Sequence, residues 1–401
     1  MPPATERRSA SSLTLLQGSS ELFPALIEAM DAAKHQIRLE TYIFDFTGSG
    51  EGVALALERA GLRGVETLVM VDGVGSEALT PQWAQRFEEA GVQWRVFAPL
   101  GRIGMLAPSR WRRLHRKLCC IDQQVAFCGG INILDDFYDP NHGQLDAPRF
   151  DFAVRITGKL VDDIFEAISQ VWLRSEHHGR LRVTVNAVVQ ASRTVFKPKL
   201  AALPAPGSEG IRSALVLRDN LRHRSGIEQA YRKAISQAKS EVIIANAYFV
   251  PGRKLRQALV MAAKRGVKVQ LLLQGKYEYF MQYYAARPVY GVLLAAGVEI
   301  HEYSASFLHA KVAVVDGQWA TVGSSNLDPL SLLLAREANV SVQHKAFAEA
   351  LRARLLDAIV HQGDRMDPAE YAERPLRQRC FEWTAYGLMR AALKLQGRKY
   401  L

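Results

Sequence analysis

The feature that most constrains this chain is an internal repeat. The string "HRKLCCIDQQVAFCGGIN" (115–132) shares its skeleton with "HAKVAVVDGQWATVGSSN" (309–326), and histidine, lysine, aspartate and asparagine have the same spacing in both. Farther upstream, "IRLETYIFDFTG" (37–48) is similar to "VIIANAYFVPG" (242–252), each a β-rich run that ends at a glycine turn. Similar segments in the same order indicate one folding unit that is duplicated within the chain.

The duplication predicts an α/β fold with two tandem domains. In each copy, β-rich runs alternate with a helical stretch, which is typical of a mixed, largely parallel sheet flanked by helices. A chain of 401 residues has room for two such cores. Because "VFKPKLAALPAPGSEG" concentrates Pro, Gly and Ser, we predict domains at 1–194 and 212–362, a linker at 195–211 and a basic amphipathic tail at 363–401.

The composition favours a polyanionic partner. Lys and Arg number 51 against 40 Asp and Glu, which gives a formal net charge of +11. Nucleic acid, anionic lipid and phosphorylated metabolites all fit this charge, and so does a basic protein without such a partner. No apolar run approaches the roughly 20 residues of a membrane span, and the N-terminus lacks the apolar core of a secretory signal. We therefore expect the chain to be cytoplasmic unless something docks it at a membrane.

The cysteines predict neither a metal site nor a disulfide framework. No CxxC pair occurs, and three of the cysteines lie in hydrophobic runs, which favours a reducing compartment. The cysteines are Cys119, Cys120, Cys128 and Cys380.

Each repeated string places a histidine and a lysine on one face of a strand. Side chains alternate between the two faces of a strand, so His115 and Lys117 point the same way, as do His309 and Lys311. A phosphodiester reaction needs cationic donors for the non-bridging oxygens, a nucleophile, and an acid for the leaving oxygen. Two facing copies of this pattern supply all three.

The rest of each string adds a turn and an amide. Asp122 and Asp316 lie in "DQQ" and "DGQ", which are predicted hairpin turns, and their strand parity is opposite to that of the lysines. They are therefore less suited to face the same reactant. Asn132 and Asn326 can donate from their side-chain amides.

These paired motifs resemble the phospholipase D superfamily, whose signature is a duplicated His-Lys-Asp motif followed by Gly-Gly or Gly-Ser and Asn. The strings "RRLHRKLCCID", "FCGGIN" and "ATVGSSNLDPLSLLLAREANV" are similar, more closely, to the bacterial cardiolipin synthases, in particular the B type without N-terminal transmembrane helices. The resemblance runs from about residue 12 to about residue 362. It implies two tandem phospholipase D-like domains with the active site between the repeats.

The resemblance implies a two-step transfer of a phosphatidyl group without metal or cofactor. One histidine attacks the phosphorus of phosphatidylglycerol while the other protonates the departing glycerol. The second histidine then deprotonates a hydroxyl of another phosphatidylglycerol, which attacks to give cardiolipin. Family analogy assigns His115 as nucleophile and His309 as acid and base, and the symmetry of the motifs leaves the reverse open. The implied catalytic set comprises His115, Lys117, Asp122, His309, Lys311 and Asp316.

Further residues receive supporting roles from the same resemblance. Glu337 in "AREANV" stands where the superfamily carries the carboxylate that orients a histidine, and Asp151 in "RFDFAV" is the corresponding candidate in the first half. Either could instead be an ordinary surface acid. The first copy has Gly130 where the second has Ser324, which removes one hydroxyl. The implied phosphate-binding or supporting set is Asn132, Asn326, Ser324, Asp151 and Glu337.

Three segments are candidates for lipid contact. The insertion at 100–117 mixes arginines with apolar residues, and the insertion at 276–294 is rich in Tyr and Phe. The tail at 380–401 is typical of an interfacial amphipathic helix, and docking on the protein core is the alternative. One predicted face of this helix contains Phe381, Ala385, Leu388, Met389, Ala392 and Leu395.

The predicted partners are phosphatidylglycerol, anionic membrane lipid and the membrane surface, and no nucleic acid is expected. This corresponds to a peripheral protein on the cytoplasmic side of the bacterial cell membrane. Alternatives are a phospholipase D-type hydrolase, or a phosphatidyltransferase with another donor or alcohol acceptor. A phosphodiester nuclease and a catalytically silent lipid-binding protein are further alternatives, although both His-Lys pairs are intact.

Overall fold

The computed structural model describes the chain in six segments, 12–99, 112–176, 211–219, 225–276, 280–328 and 335–395. Its first half contains helices α1 (Gly18–Asp31), α2 (Ser49–Leu62), α3 (Pro81–Glu89) and α4 (Leu160–Glu176). The strands of this half are β1 (Leu13–Gln17), β2 (Gln36–Thr41), β3 (Glu66–Asp72), β4 (Gln93–Phe97), β5 (Arg113–Leu114), β6 (Lys117–Ile121), β7 (Val125–Gly129), β8 (Tyr138–Asp139), β9 (Gly143–Gln144) and β10 (Phe152–Thr157).

The second half repeats this pattern and adds elements at its end. Its strands are β11 (Arg212–Arg218), β12 (Glu241–Asn246), β13 (Lys268–Gln274), β14 (Glu299–Tyr303), β15 (Lys311–Val315), β16 (Trp319–Gly323), β17 (Ala335–Gln343) and β18 (Gly363–Arg365). Its helices are α5 (Gly226–Gln237), α6 (Arg253–Lys264), α7 (Phe280–Leu294), α8 (Lys345–Gln362), α9 (Pro368–Ala372) and α10 (Leu376–Leu395).

Both halves share one sheet topology. The strand orders are β1-β10-β7-β6-β2-β3-β4 and β11-β17-β16-β15-β12-β13-β14, with β18 beside β14. The predicted mixed α/β fold with two repeats is confirmed. Along the described strand order of each sheet, the parallel neighbours are β2-β3-β4 and β12-β13-β14, and the other neighbours are antiparallel. The sheets are therefore mixed but mainly antiparallel, and not largely parallel as predicted, because each repeated string folds as an antiparallel hairpin and not as a crossover connection.

The two sheets pack on each other through one apolar core. Side chains of β6 and β7 share a buried cluster with side chains of β15, β16 and β17, and residues of α4 and α8 complete it. Cys120 and Cys128 belong to this cluster, whereas Cys119 lies in the core on the other face of the first sheet. Burial of apolar surface between the sheets thus holds the two repeats face to face.

Two short parallel pairings cross from one repeat to the other. Strand β5 pairs with the start of β17, and the N–H of His115 donates to the carbonyl of Arg336 at 3.1 Å. In the symmetric place, Phe150 bridges to Leu308, and the N–H of His309 donates to the carbonyl of Phe150 at 3.0 Å. Each histidine is therefore fixed by its backbone to the opposite repeat.

The last described helix packs against the second repeat. Helix α10 lies along α7, and its buried residues are Glu382, Ala385, Tyr386 and Met389, a stripe with helical spacing. Phe381 and Leu388, which we predicted on the same face as Ala385 and Met389, are 43% and 61% exposed. The helix carries apolar residues on most of its faces, so periodicity alone did not identify the face that is buried.

Several predicted features fall outside the described segments. They are the domain boundary at 194, nearly all of the linker at 195–211, residues 100–111 of the first insertion, residues 277–279 of the second, residues 396–401 of the tail, and the side chains of Ala392 and Leu395. Within the described segments, no helix combines the length and apolarity needed to cross a bilayer.

Candidate active site

The two histidines pair with carboxylates across the repeat boundary. His115 Nδ1 lies 3.0 Å from Oε1 of Glu337, and His309 Nδ1 lies 2.7 Å from Oδ2 of Asp151. Both acids are buried. A carboxylate at Nδ1 favours the tautomer with its proton on that nitrogen and leaves Nε2 available for chemistry. The sequence predicted both acids as orienting residues, and the structure pairs each with the histidine of the other repeat.

The pairing is crossed because of the backbone contacts between repeats. Glu337 directly follows Arg336, whose carbonyl accepts the N–H of His115. Asp151 directly follows Phe150, whose carbonyl accepts the N–H of His309. Each carboxylate therefore belongs to the same backbone segment that binds the N–H of the histidine.

The two lysines are buried, and each contacts the backbone of the histidine two residues before it. Lys117 Nζ donates to the carbonyl oxygen of His115 at 2.8 Å, and Lys311 Nζ donates to that of His309. Burial and the nearby charge of Lys311 lower the pKa of Lys117 to about 7. Two neighbouring cations in a buried site favour an anion between them.

The pKa values of the other groups follow from the same burial. Burial lowers the pKa of His115, although Glu337 opposes this. The pKa of His309 lies well below its usual value because burial is reinforced by Lys311 and Lys117. Burial also raises the pKa of Asp151 to about 7, against the effect of Lys311. Both imidazoles are therefore neutral at pH 7, as a nucleophile or a base requires.

The asparagines lie on the loops after β7 and β16. The Oδ1 atom of Asn132 accepts the N–H of Ile43 at 3.1 Å, which leaves its amide N–H groups as the donors for a ligand. Asn326 is also buried. Its backbone neighbour Leu327 donates to Oδ1 of Asn246 at 3.1 Å.

The difference between Ser324 and Gly130 has a steric cause. The hydroxyl of Ser324 donates to Oε2 of Glu337 at 2.5 Å and accepts the N–H of Ala338 at 3.1 Å. At Gly130, an added Cβ would lie only 2.4 Å from Oδ1 of Asp151. The shorter acid thus occupies the space that the serine side chain fills in the other half.

The motif aspartates are not brought together with the histidines. Asp122 lies in the turn at the other end of β6, where its carboxylate accepts backbone N–H groups of Lys34, His35 and Gln36 at 2.8–2.9 Å. Asp316 makes the equivalent bonds to residues 239–241. Both adopt positive φ angles, 50° and 53°. These aspartates fasten the hairpin to the neighbouring strand, in agreement with their opposite parity.

Sequence reasoning missed several residues around the histidines. The ring of Tyr42 packs on the His115 imidazole with centroids 4.8 Å apart, and Lys117 Nζ lies 5.4 Å from the Tyr42 centroid. Asp72 and Gln274 bind the backbone immediately before each histidine. Their position in the sequence could have indicated a role in the site. Each is the last residue of a parallel strand, and α/β sheets bind ligands at the edge formed by these strand ends.

No metal cluster was predicted, and within the described segments no group of three or more His, Cys, Asp or Glu side chains could hold a metal ion. The cysteines are all free, and only Cys380 is exposed.

The shared topology and the paired His-Lys motifs define a two-repeat protein of the phospholipase D superfamily. The family described as cardiolipin synthase, PLD-like domain, matches residues 26–143 and 231–358. The chain therefore belongs to this family of phospholipid transferases.

Curated relatives agree with this assignment, and a solved structure shares the fold. Cardiolipin synthase B from Salmonella typhi is 36% identical over 378 residues, which cover 92% of this chain and 85% of the relative. The cardiolipin synthase B of Escherichia coli K12 is 35% identical with the same coverage. The crystal structure of phosphatidylserine synthase from Haemophilus influenzae has a TM-score of 0.68 at 13% identity, covering 96% of this chain and 93% of that one. This last similarity shows the fold.

Proposed function

We propose that this chain is a cardiolipin synthase that transfers a phosphatidyl group from one phosphatidylglycerol to another and releases glycerol. The observation that carries the proposal is the pair of histidines, each held by a carboxylate of the other repeat, together with two buried lysines that donate to the histidine carbonyl oxygens. The names of the curated relatives support this choice of substrate.

In the first step, Nε2 of His115 attacks the phosphorus and forms a phosphorus–nitrogen bond. The bond from phosphorus to the glycerol oxygen breaks, and His309 gives that oxygen a proton. His309 is neutral in the empty site, but the bound phosphodiester anion offsets the lysine charges that oppose its protonation. Asp151, which accepts from Nδ1, stabilises the resulting imidazolium.

In the second step, His309 takes the proton from a hydroxyl of another phosphatidylglycerol. That oxygen attacks the phosphorus, the bond to His115 breaks, and cardiolipin leaves. The proton that His309 gave in the first step is recovered, so none is consumed overall. Lys117 and Lys311 stabilise the non-bridging oxygens throughout, and the amides of Asn132 and Asn326 add donors.

We further propose that α10 contacts anionic lipid and makes the protein peripheral on the cytoplasmic side of the bacterial cell membrane. Its outward face exposes Leu376, Trp383 and Leu388 by 75%, 57% and 61%. Arg377, Arg379 and Arg390 lie exposed around these side chains, and the acid of the helix, Glu382, is buried in an ion pair with Arg374. Exposed Trp and Leu surrounded by arginines fit an anionic membrane surface. The free cysteines fit a reducing compartment.

The test is to incubate the purified protein with vesicles of isotope-labelled phosphatidylglycerol and identify the products by mass spectrometry. Cardiolipin and free glycerol in equal amounts support the proposal. Phosphatidic acid alone would identify a hydrolase, and cleavage of nucleic acid without lipid turnover would identify a nuclease. His115→Ala and His309→Ala should each abolish transfer, and near-normal activity of either variant would overturn the mechanism.

A further inference from the structure

The backbone just before each histidine is bound by a side chain from the end of a parallel strand. At the end of β3, Oδ2 of Asp72 accepts the N–H of Leu114 at 2.7 Å. At the end of β13, Oε1 of Gln274 accepts the N–H of Leu308 at 3.0 Å. Asp72, Gln274 and both leucines are buried.

These bonds complete a two-sided attachment of each histidine segment. Leu114 donates to Asp72 within the first repeat, whereas the next residue, His115, donates to the carbonyl of Arg336 in the second. In the other half, Leu308 donates to Gln274, and His309 donates to Phe150. Successive N–H groups of an extended chain point to opposite sides, so the two bonds together set the position and direction of each histidine.

Asp72 makes further bonds that Gln274 does not match. Its Oδ1 accepts the N–H of Val74 at 2.8 Å and lies 3.1 Å from Nη1 of Arg113. The turn that follows Asp72 contacts Tyr42 directly, because an added Cβ at Gly75 would lie 2.7 Å from the Tyr42 ring. Ser76 also donates its hydroxyl to the carbonyl of Tyr42 at 2.9 Å. One buried carboxylate thus joins the His115 segment to the turn that supports the aromatic ring on the imidazole.

We propose that Asp72 and Gln274 are the positioning residues of the two histidines, Asp72 for His115 and Gln274 for His309. Neither side chain is assigned contact with substrate. Each acts by fixing the segment that presents Nε2 of its histidine toward the reacting phosphorus. The catalytic consequence rests on the proposed transferase function, whereas the structural consequence does not.

The experiment separates these two consequences. Spectra that correlate ¹H with ¹⁵N are recorded on the full chain labelled with ¹⁵N-histidine, and the His115 and His309 imidazole signals are assigned from the two His→Ala variants. Asp72→Ala should shift the His115 signals and leave those of His309 in place. Gln274→Ala should do the reverse. If Asp72→Ala does not fold, Asp72→Asn replaces it. Asp72 uses both oxygens, for Leu114 and for Val74 and Arg113, and an amide keeps only one acceptor, so the His115 signals should still shift, by a smaller amount. Unmoved signals, or both sets moving in both variants, overturn the proposal.

Activity provides the second readout. On phosphatidylglycerol vesicles, Asp72→Ala should lower kcat by about 10- to 100-fold with little change in KM, since misplacement of about 1 Å has effects of that size. Asp72→Asn should recover part of the loss. The control is Asp367→Asn, whose carboxylate also accepts a backbone N–H, from Ala369, but at the start of α9. Unchanged kcat in Asp72→Ala overturns the proposal. A wild-type chain without transferase activity overturns the proposed function instead, and the spectra still decide the positioning roles.

Discussion

Arg116 and Glu40 form a buried bidentate ion pair, and Arg116 lies in the sequence between two residues of the candidate active site, His115 and Lys117. The Nε–Oε2 and Nη2–Oε1 distances are 2.5 and 3.0 Å, and Arg116 also donates to the carbonyl of Ala167 in α4 at 2.6 Å. The pair therefore ties β6 to β2 and to the helix behind them, on the face of the strand opposite to Lys117.

The second repeat has alanine at both corresponding positions, Ala310 and Ala245, and both are fully buried. Removal of one partner from a buried ion pair leaves the other charge buried and unpaired, which typically lowers stability by about 3–5 kcal/mol. We therefore expect Arg116→Ala to lower the free energy of unfolding by that amount, and Glu40→Ala to do the same. The double variant should be more stable than either single variant, because no charge remains buried. Urea denaturation of all three checks this, and additive losses in the double variant would contradict it.

Loss of the Glu337 charge should impair the His115 half of the site. Glu337→Gln keeps the shape but removes the charge that orients the imidazole, so we expect kcat to fall by about 10⁴-fold, as for the corresponding change in a catalytic triad. Ser324→Ala removes only one donor to that carboxylate and should have a much smaller effect. Steady-state kinetics on phosphatidylglycerol vesicles measure kcat for both variants. Equal losses would contradict the prediction that Glu337 matters more than Ser324.

Gly130→Ser should be harmful even though it copies the second motif. An added Cβ meets both carboxylate oxygens of Asp151, at 2.4 and 2.5 Å. We expect this variant to displace Asp151 from His309 and to lose activity. Melting temperature and kcat measured together check this, and an active variant of normal stability would show that the site can accommodate the hydroxyl.

Ligand binding should be linked to proton uptake above neutral pH. The pKa of Lys117 is about 7, so at pH 8 this lysine is mostly uncharged. A phosphodiester anion bound beside it raises its pKa, and the same anion favours protonation of the buried pair formed by His309 and Asp151. Both shifts bind protons, so affinity should increase from pH 8 to pH 6.

Calorimetry with short-chain phosphatidylglycerol, in two buffers of different ionisation enthalpy, measures this uptake. His115→Ala serves as the host protein because it lacks the proposed nucleophile. Lys117→Met in the same host should reduce the uptake. Proton release at pH 8 would contradict the predicted direction.

The outward face of α10 should control membrane binding separately from catalysis. Replacing both Trp383 and Leu388 by Glu puts two anionic groups on the proposed lipid contact, which anionic vesicles repel. We expect weaker sedimentation with phosphatidylglycerol vesicles and unchanged kcat on detergent-dispersed substrate. Val360→Glu is the control, since Val360 is 70% exposed on α8, outside that face. Equal loss of binding in the control would contradict the assignment.

Much of the local structure could be predicted from the sequence. The His-x-Lys parity, the hairpin turns at Asp122 and Asp316 and the mixed sheets all depend on neighbours within about ten residues, and strand periodicity expresses such neighbours directly. The same parity argument separated the motif aspartates from the reacting side of the strand.

The remaining features depend on how the two sheets face each other. The partners of His115 and His309 come from the opposite repeat, and no periodicity within one repeat indicates that exchange. The proposed roles of Asp72 and Gln274 depend on hydrogen bonds to Leu114 and Leu308, which are distant in sequence from the two strand ends. The orientation of α10 is set by its fit on α7, and its apolar residues are too widely distributed around the helix to indicate that orientation.

The exchange of carboxylates has a consequence for how this chain can change over time. Asp151 and Glu337 each bind the histidine of the other repeat. A substitution of either acid therefore changes the surroundings of a histidine in the opposite half. Neither copy can lose its acid while the other remains fully functional. The duplicated halves are therefore expected to evolve together at these positions, whereas duplication usually leaves one copy free to diverge.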